Sequence, residues 1–118
     1  MANVLCIGIN DEAMSARALL LRDAGHILSE AKDLRQVITA CSGIEFDVVV
    51  IGDSLPAMEK LRVGDVVRRH CGRTKILELY SSSEPELPAA DAHLAVKEGV
   101  GEPLVATINR MTAVRKSA

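Results

Sequence analysis

Short apolar runs alternate with amphipathic segments along nearly the whole chain. The apolar runs predict five β-strands, at residues 3–8, 26–29, 46–52, 75–79 and 93–96. The run at 46–52, "FDVVVIG", is apolar almost throughout, which is typical of a strand covered on both faces. Segments with apolar residues at helical spacing predict helices at residues 12–24, 33–41 and 58–70, and a final helix follows the last strand.

Each predicted helix has a set of apolar residues expected to face the core. These are Met14, Leu20, Leu21 and Ala24 in the first helix, Leu34, Val37, Ile38 and Cys41 in the second, Leu61, Val66 and Val67 in the third, and Leu104, Val105, Ile108, Met111 and Val114 in the last. Polar and glycine residues mark the ends, with Asn10 to Glu12 starting the first helix and Gly25 ending it.

The regular alternation of strands and helices predicts an α/β fold with a parallel sheet. In such a sheet, functional residues gather where the strands end. The residues at those ends are 8–11, 52–54, 80–82 and Lys97. We therefore expect any functional site to lie among them.

Composition excludes several functional classes. The chain has 118 residues, enough for one domain, and its single Phe, single Tyr and lack of Trp argue against stacking of nucleic-acid bases. A net charge of −2 gives no general attraction for nucleic acid or anionic membranes. The sequence shows neither a secretory leader nor an apolar run long enough to cross a bilayer, which predicts a cytoplasmic protein.

The three cysteines show no CxxC spacing, so we expect reduced thiols and neither a zinc site nor a disulfide framework. Cys6 is predicted to lie in the core, and Cys41 to pack as a small hydrophobic residue. His26 and His70 stand at element ends, where we expect them at the surface.

Several segments together resemble the receiver domains of bacterial two-component response regulators. "VLCIG" with "ALLLRDAGH" resembles the first strand and helix, "FDVVVIGDSLP" the third strand, and "HLAVKEG" the fifth strand with the lysine of that family. The resemblance implies a flavodoxin-like three-layer sandwich whose five-stranded parallel sheet has the order 2-1-3-4-5. It also implies a single domain over residues 1–118, with a frayed tail from about residue 115.

The resemblance also implies where a phosphorylation site would stand. Receivers bind Mg²⁺ through carboxylates after the first strand and on the third, and the third-strand Asp accepts the phosphoryl group. The acceptor position falls on Gly52, the acidic pair on Gly8 and Ile9, the hydroxyl position on Tyr80 with Ser81 next to it, and the lysine on Lys97. Because Gly and Ile cannot bind Mg²⁺ or accept phosphate, we expect a degenerate site, a pseudo-receiver, with no cofactor.

A displaced site is the first alternative. Asp53 would accept the phosphoryl group beside Asp11 and Glu12, with Ser81 and Lys97 contacting the phosphate, and Mg²⁺ would bind between Asp11 and Asp53. Because side chains alternate along a strand, a shift of one residue normally points Asp53 to the opposite face.

A serine hydrolase is the second alternative, since residues 52–55 read "GDSL", with "GIND" at 8–11 and "DAH" at 91–93. The order of these blocks is the reverse of the order in that family. His93 would also lie one strand length, about 13 Å, below the strand end. We therefore interpret "GDS" as a strand-to-helix turn, in which Asp53 or Ser54 caps the next helix.

The interval from Tyr80 to Lys97 is short for a receiver and contains two prolines in "SSSEPELPAADA". We therefore predict that the fourth helix, within residues 81–92, is shortened or missing, which would remodel the face through which receivers signal. The expected function is that of a stand-alone, non-enzymatic, receiver-like module in bacterial phosphorelay signalling. It would act independently of phosphorylation by contacting a sensor kinase, an output protein or a second copy of itself.

Overall fold

The computed structural model describes residues 2–96 and 102–116. The elements in chain order are β1 (Asn3–Ile7), α1 (Asp11–Asp23), β2 (Ile27–Ala31), α2 (Leu34–Gly43), β3 (Val48–Ile51), α3 (Ala57–His70), β4 (Lys75–Tyr80), β5 (Ala92–Ala95) and α4 (Glu102–Lys116). Among the helices of this described part, none combines the length and the apolar character that crossing a bilayer requires.

The five strands form one parallel sheet in the order β2-β1-β3-β4-β5, which confirms the predicted topology. Two apolar cores cover its faces. One contains Val37 of α2 and Val63 of α3, and the other contains Leu21 of α1 and Ile108 of α4. All four residues of β3 are buried between these layers, as expected for a strand covered on both sides.

Element ends differ from the predictions by a few residues. β2 extends to Ala31, because its backbone stays paired with β1 as far as Ile7. α4 continues to Lys116, and residues 117 and 118 lie outside the described residues, so the frayed tail from about residue 115 stays a prediction.

The predicted inner faces of α1 and α3 need correction. Leu20, Ala24 and Leu61 are exposed, whereas Arg17 and Lys60 are buried. Arg17 shares the helical stripe of Met14, Ala18 and Leu21, and Lys60 shares that of Val63, Gly64 and Val67. Each stripe therefore buries a charged residue, which apolar periodicity alone does not predict. In α4, Leu104, Ile108 and Met111 are buried as predicted, and the Val114 side chain lies outside the described residues.

Residues 81–91 form no helix, which confirms the prediction that the fourth receiver helix is missing. Leu87 of this segment is buried against α3. A Cβ atom on Gly64 would lie 3.1 Å from Leu87 Cδ1, so the glycine leaves the space that the leucine fills.

Two predictions about cysteine and histidine are wrong. Cys41 and Cys71 form a disulfide, because α2 and α3 pack side by side and bring their Cα atoms to 5.0 Å. His26 is buried, with Nδ1 accepting from the Ala2 amide at 3.1 Å and Nε2 lying 2.9 Å from Asn109 Oδ1. Cys6 is buried in the core as predicted.

Candidate functional site

The neighbouring carboxyl ends of β1 and β3 form the candidate site. Gly8 directly follows β1 and Gly52 directly follows β3, and both are buried. The Gly52 amide donates to the Ile7 carbonyl at 2.7 Å, which holds the two strand ends together. The positions that the resemblance assigned to phosphorylation therefore do lie side by side.

Gly52, the predicted acceptor position, has no room for a side chain. A Cβ atom there would lie 2.9 Å from the Ile7 carbonyl oxygen and 3.3 Å from Arg17 Nη1. Real Cβ atoms essentially never approach within 3.0 Å of another heavy atom. The Ile7 carbonyl and the Arg17 guanidinium therefore occupy the space that the side chain of an acceptor aspartate would need.

Arg17 reaches this site from α1 and forms an ion pair there. Its Nη2 donates to Asp53 Oδ1 at 2.7 Å, and the two side chains are only 11% and 21% exposed. Such a short, partly buried charge-assisted hydrogen bond is stronger than one on the surface. The carboxylate of Asp53, the proposed substitute acceptor, is already paired with a permanent cation.

Met14 and Ser54 lie against Gly8, the first of the two predicted acidic-pair positions. A Cβ atom on Gly8 would lie 3.3 Å from both Met14 Sδ and Ser54 Oγ. The Ser54 hydroxyl accepts from the Ile9 amide at 3.1 Å, and Ile9 itself is 56% exposed. Ser54 therefore fastens the loop after β1 and does not cap α3. Neither Asp53 nor Ser54 has the predicted capping role, since α3 starts after Pro56 without a side-chain cap from the described residues.

The other two acidic residues near β1 lie at the surface. Asp11 forms an exposed ion pair with Lys32, and the hydrogen bond from this pair raises the pKa of Lys32. Glu12 is also exposed. Among the residues that the structure describes, no three acidic, His or Cys side chains group closely enough to hold a metal ion.

The predicted phosphate-contact residues are only partly placed. Tyr80 is the last residue of β4 and is half-buried, with its carbonyl accepting from the Val96 amide at 2.7 Å, and Ser81 next to it is exposed. Lys97 lies outside the described residues.

The residues of the hydrolase alternative have separate partners. His93 Nδ1 lies 2.8 Å from Glu78 Oε1, and Asp91 accepts from the Ile76 amide at 2.7 Å near the start of β5. Ser54 bonds the loop after β1 instead. The structure therefore does not join Ser54 to these two residues by hydrogen bonds.

A buried charge network, which the sequence analysis missed, lies beside this site. Lys60 Nζ donates at 2.9 Å to Glu78 Oε2, Glu86 Oε1 and the Leu79 carbonyl. The side chains of Lys60 and Glu78 are fully buried. Two features of the sequence could have indicated this network. Glu78 is a charged residue within the apolar strand β4, and Lys60 stands in the apolar stripe of α3.

Glu78 also accepts from the amides of Glu86 and Leu87, at 2.8 and 3.1 Å. Burial alone would raise the pKa of Glu78, but hydrogen bonds from Lys60, the Glu86 amide, His93 and the Leu87 amide lower it overall. The ionised carboxylate thus holds the irregular segment 81–91 against β4.

A groove of about 650 Å³ opens beside the candidate site, at the same edge of the sheet. We call it the carboxyl-edge groove, and its lining residues are Ile9, Lys32, Asp33, Leu34, Arg35, Leu55, Pro56 and Glu59. It combines apolar side chains with charges of both signs.

Comparison with known proteins identifies the fold. No family model and no curated protein matches the chain. Among solved structures, the chemotaxis response regulator CheY4 of Vibrio cholerae is similar, with a TM-score of 0.79 and 27% identity over 94% of this chain and 98% of that one. The receiver domain of a sensor histidine kinase from Pseudomonas aeruginosa has a TM-score of 0.78 and 16% identity over 95% and 98%, and its structure contains a magnesium ion in the active-site cleft.

A third similar structure is the response regulator TrrA of Thermotoga maritima in complex with Mg²⁺ and BeF. Its TM-score is 0.78 and its identity 17%, over 94% of this chain and 99% of that chain. All three similarities cover almost the whole of both chains. Together with the strand order and the helix positions, they show that the chain has the receiver-domain fold of two-component signalling.

Proposed function

We propose that the chain is a receiver-like signalling module that works without phosphorylation and without enzymatic activity. It acts by contacting a signalling protein, either a sensor kinase or an output protein, and residues 1–118 form the single module. The observation that carries this proposal is the Arg17 guanidinium, which pairs with Asp53 and lies against Gly52.

The residues at the site do not fit Mg²⁺. Two of the similar structures contain the ion, which prefers several oxygen ligands. Here Gly8, Ile9 and Gly52 supply no carboxylate at the corresponding positions, and Arg17 adds a positive charge that would repel a second cation. This substitution of a fixed cation for carboxylates supports a site that is not phosphorylated.

Asp53 remains the second candidate, as a displaced phospho-acceptor, because its side chain is 21% exposed. To attack a phosphoryl group, its carboxylate would have to leave Arg17 or share that cation with the incoming phosphate. Asp11, which would have to share a metal ion with it, is instead paired with Lys32.

We expect the partner to bind at the carboxyl-edge groove. Ile9 is 56% exposed beside Leu34 and Pro56, and exposed apolar side chains that cluster in a groove are typical of interaction sites. The same surface would serve a second copy of the chain if the module acts as a homodimer.

Treatment with acetyl phosphate and Mg²⁺ tests the proposal, with intact-protein mass spectrometry as the readout. We expect no phosphoryl adduct, and no change in the amide NMR signals of Gly8, Gly52 or Ser54 when Mg²⁺ and beryllofluoride are added. A receiver with an intact acidic site, treated in parallel, shows that the reagents are active.

An adduct on the wild-type chain that Asp53→Asn abolishes would overturn the proposal and establish the displaced site. Asp65→Asn is the matched control, since Asp65 is an exposed aspartate of α3 that pairs with Arg69, and its replacement should leave any adduct unchanged. Ester hydrolysis that disappears in Ser54→Ala would instead establish the hydrolase.

A further inference from the structure

A second pocket lies at the opposite edge of the sheet, where the strands begin. It has a volume of about 230 Å³, and we call it the amino-edge pocket. Its lining residues are Asn3, Glu45, Phe46, Asp47, Cys71, Arg73 and Thr74. Asn3 is the first residue of β1 and the other residues precede β3 or β4, so the pocket is separate from the candidate site.

One half of the disulfide lines this pocket. Cys71 follows α3 and is 8% exposed, and its partner Cys41 lies in α2 and is half-buried. The Cα atoms are 5.0 Å apart, within the range that a disulfide spans. A molecule in the pocket would therefore lie against one residue of the cystine.

We propose that the amino-edge pocket is a thiol–disulfide exchange site, in which a small zwitterionic thiol attacks Cys71 and opens the Cys41–Cys71 bridge. Exposed Arg73 and Glu45 line the pocket, and they offer opposite charges to a thiol that carries both a carboxylate and an ammonium group. Asp47 adds a second carboxylate to the lining, and it accepts from the Asn3 amide at 2.9 Å. This inference does not depend on the proposed function.

The exchange balances with two equivalents of thiol. The first thiolate attacks Cys71 Sγ, the protein S–S bond breaks, and Cys41 leaves as a thiolate that takes a proton from water. A second thiolate then attacks the small-molecule sulfur of the mixed disulfide and releases Cys71 as a thiolate, which is protonated in turn. The two thiols are oxidised to one small-molecule disulfide, and the protein cystine is reduced to two cysteines.

Cys6 provides an internal control for this chemistry. It lies in the core on the other face of the sheet, with α1 and α4, and it is 3% exposed. Burial raises the pKa of the Cys6 thiol to about 12, and the charge of Glu30 adds to this effect. Because the thiolate is the reactive form, Cys6 should stay inert while the folded protein exchanges.

The bridge ties α2 to α3 near the end of each helix. The first turns of the same two helices supply Leu34 and Glu59 to the carboxyl-edge groove. The bridge and the groove therefore lie at opposite ends of the same pair of helices.

The experiment uses the oxidised full chain and reduced glutathione as the zwitterionic thiol, at neutral pH without denaturant. Samples are quenched with acid at intervals and mapped by peptide mass spectrometry. We expect a glutathione adduct on Cys71, then the free Cys41 and Cys71 thiols, with Cys6 unmodified throughout.

Arg73→Ala should slow the opening by glutathione several-fold and leave the rate with neutral 2-mercaptoethanol nearly unchanged. Arg69→Ala is the matched control, because Arg69 is 73% exposed on α3 and does not line the pocket. Circular dichroism checks that both variants are folded.

Three results would each overturn the proposal. They are an adduct found on Cys41, a bridge that stays closed when the folded protein is incubated with glutathione, and an Arg73→Ala effect no larger than that of Arg69→Ala. Each is read on folded protein, so a failure to fold is not mistaken for a failure of exchange.

Discussion

Arg17 and Lys60 occupy helix positions that apolar residues normally fill, and carboxylates stabilise each of them. Arg17 pairs with Asp53 at the site, and Lys60 pairs with Glu78 and Glu86 under the irregular segment. Burying a charge without a partner is strongly unfavourable, so the fold needs carboxylate partners for both cations. The two buried charged residues are therefore also the central residues of the candidate site and of the buried charge network.

Gly52 is the residue whose replacement tests whether the acceptor position is closed. We expect Gly52→Ala to lower the free energy of unfolding by about 1–3 kcal/mol, because its Cβ would lie 2.9 Å from the Ile7 carbonyl oxygen. Gly52→Asp, which restores a carboxylate, should lose at least as much. Urea unfolding followed by circular dichroism measures both.

Gly43→Ala is the matched control for this prediction. Gly43 ends α2, and a Cβ there would meet no atom within 4 Å, so this variant should be as stable as the wild type or slightly more stable. Equal stability of Gly52→Ala and the wild type would contradict the view that the acceptor position is closed.

At the scale of elements, the Lys60 network joins α3, β4, β5 and segment 81–91. We expect Lys60→Met to destabilise the protein by about 3–5 kcal/mol, because it leaves the Glu78 carboxylate buried without its cation. Hydrogen exchange should also become faster at the amides of Glu86 and Leu87, which donate to that carboxylate.

Two further variants test whether the loss of stability in Lys60→Met comes from the network or from the loss of any lysine. Lys32→Met removes an exposed lysine that pairs with Asp11, and it should change stability far less. The double variant with Lys60→Met and Glu78→Gln should regain part of the loss, because it removes the fully buried carboxylate that Lys60→Met leaves unpaired, and the remaining Glu86 side chain is 32% exposed. A double variant less stable than Lys60→Met alone would contradict the ion-pair account.

The strands and helices were predictable because apolar runs alternate with amphipathic segments along nearly the whole chain. Which face of α1 and of α3 packs against the sheet was not predictable. Leu20 and Leu61 are exposed, whereas the stripe that faces the sheet contains Arg17 and Lys60. A hydrophobicity pattern ranks a leucine above an arginine, and it cannot weigh a buried ion pair whose partner is distant in sequence.

The sequence indicated where in the fold the candidate site lies, but not which contacts its residues make. The resemblance placed Gly8 and Gly52 correctly at neighbouring strand ends. The contact between Arg17 and Asp53 joins residues 36 positions apart, and only the packing of α1 on the sheet brings them together. The Cys41–Cys71 bridge was missed for the same reason, since the two cysteines are 30 residues apart without a spacing motif.

At the scale of the whole molecule, the network predicts acid sensitivity. The pKa of Glu78 is lower in the folded protein than its ordinary value of 4.5, so the unfolded chain binds the proton first as the pH falls. The stability contributed by this group is complete above about pH 4.5 and is lost as the pH falls through the lower, folded-state pKa. Thermal unfolding at a series of pH values from 7 to about 3 measures the loss.

Glu78→Gln should show a shallower loss of stability in this acidic range, since it removes the titrating group. Glu30→Gln is the control, because Glu30 is exposed at the edge strand β2, and it should follow the wild-type profile. If Glu78→Gln and the wild type lose stability in parallel, acid sensitivity arises elsewhere in the protein.

The Arg17 guanidinium is part of the polypeptide, so its presence at the site does not depend on the concentration of any ion or phosphodonor. Under the proposed function, this site is in the same state in every folded copy. The signal that it gives then depends on copy number and on competition for the shared partner. Such a module would bind a part of the shared partner, and its copy number would set how much partner remains free for receivers that are phosphorylated.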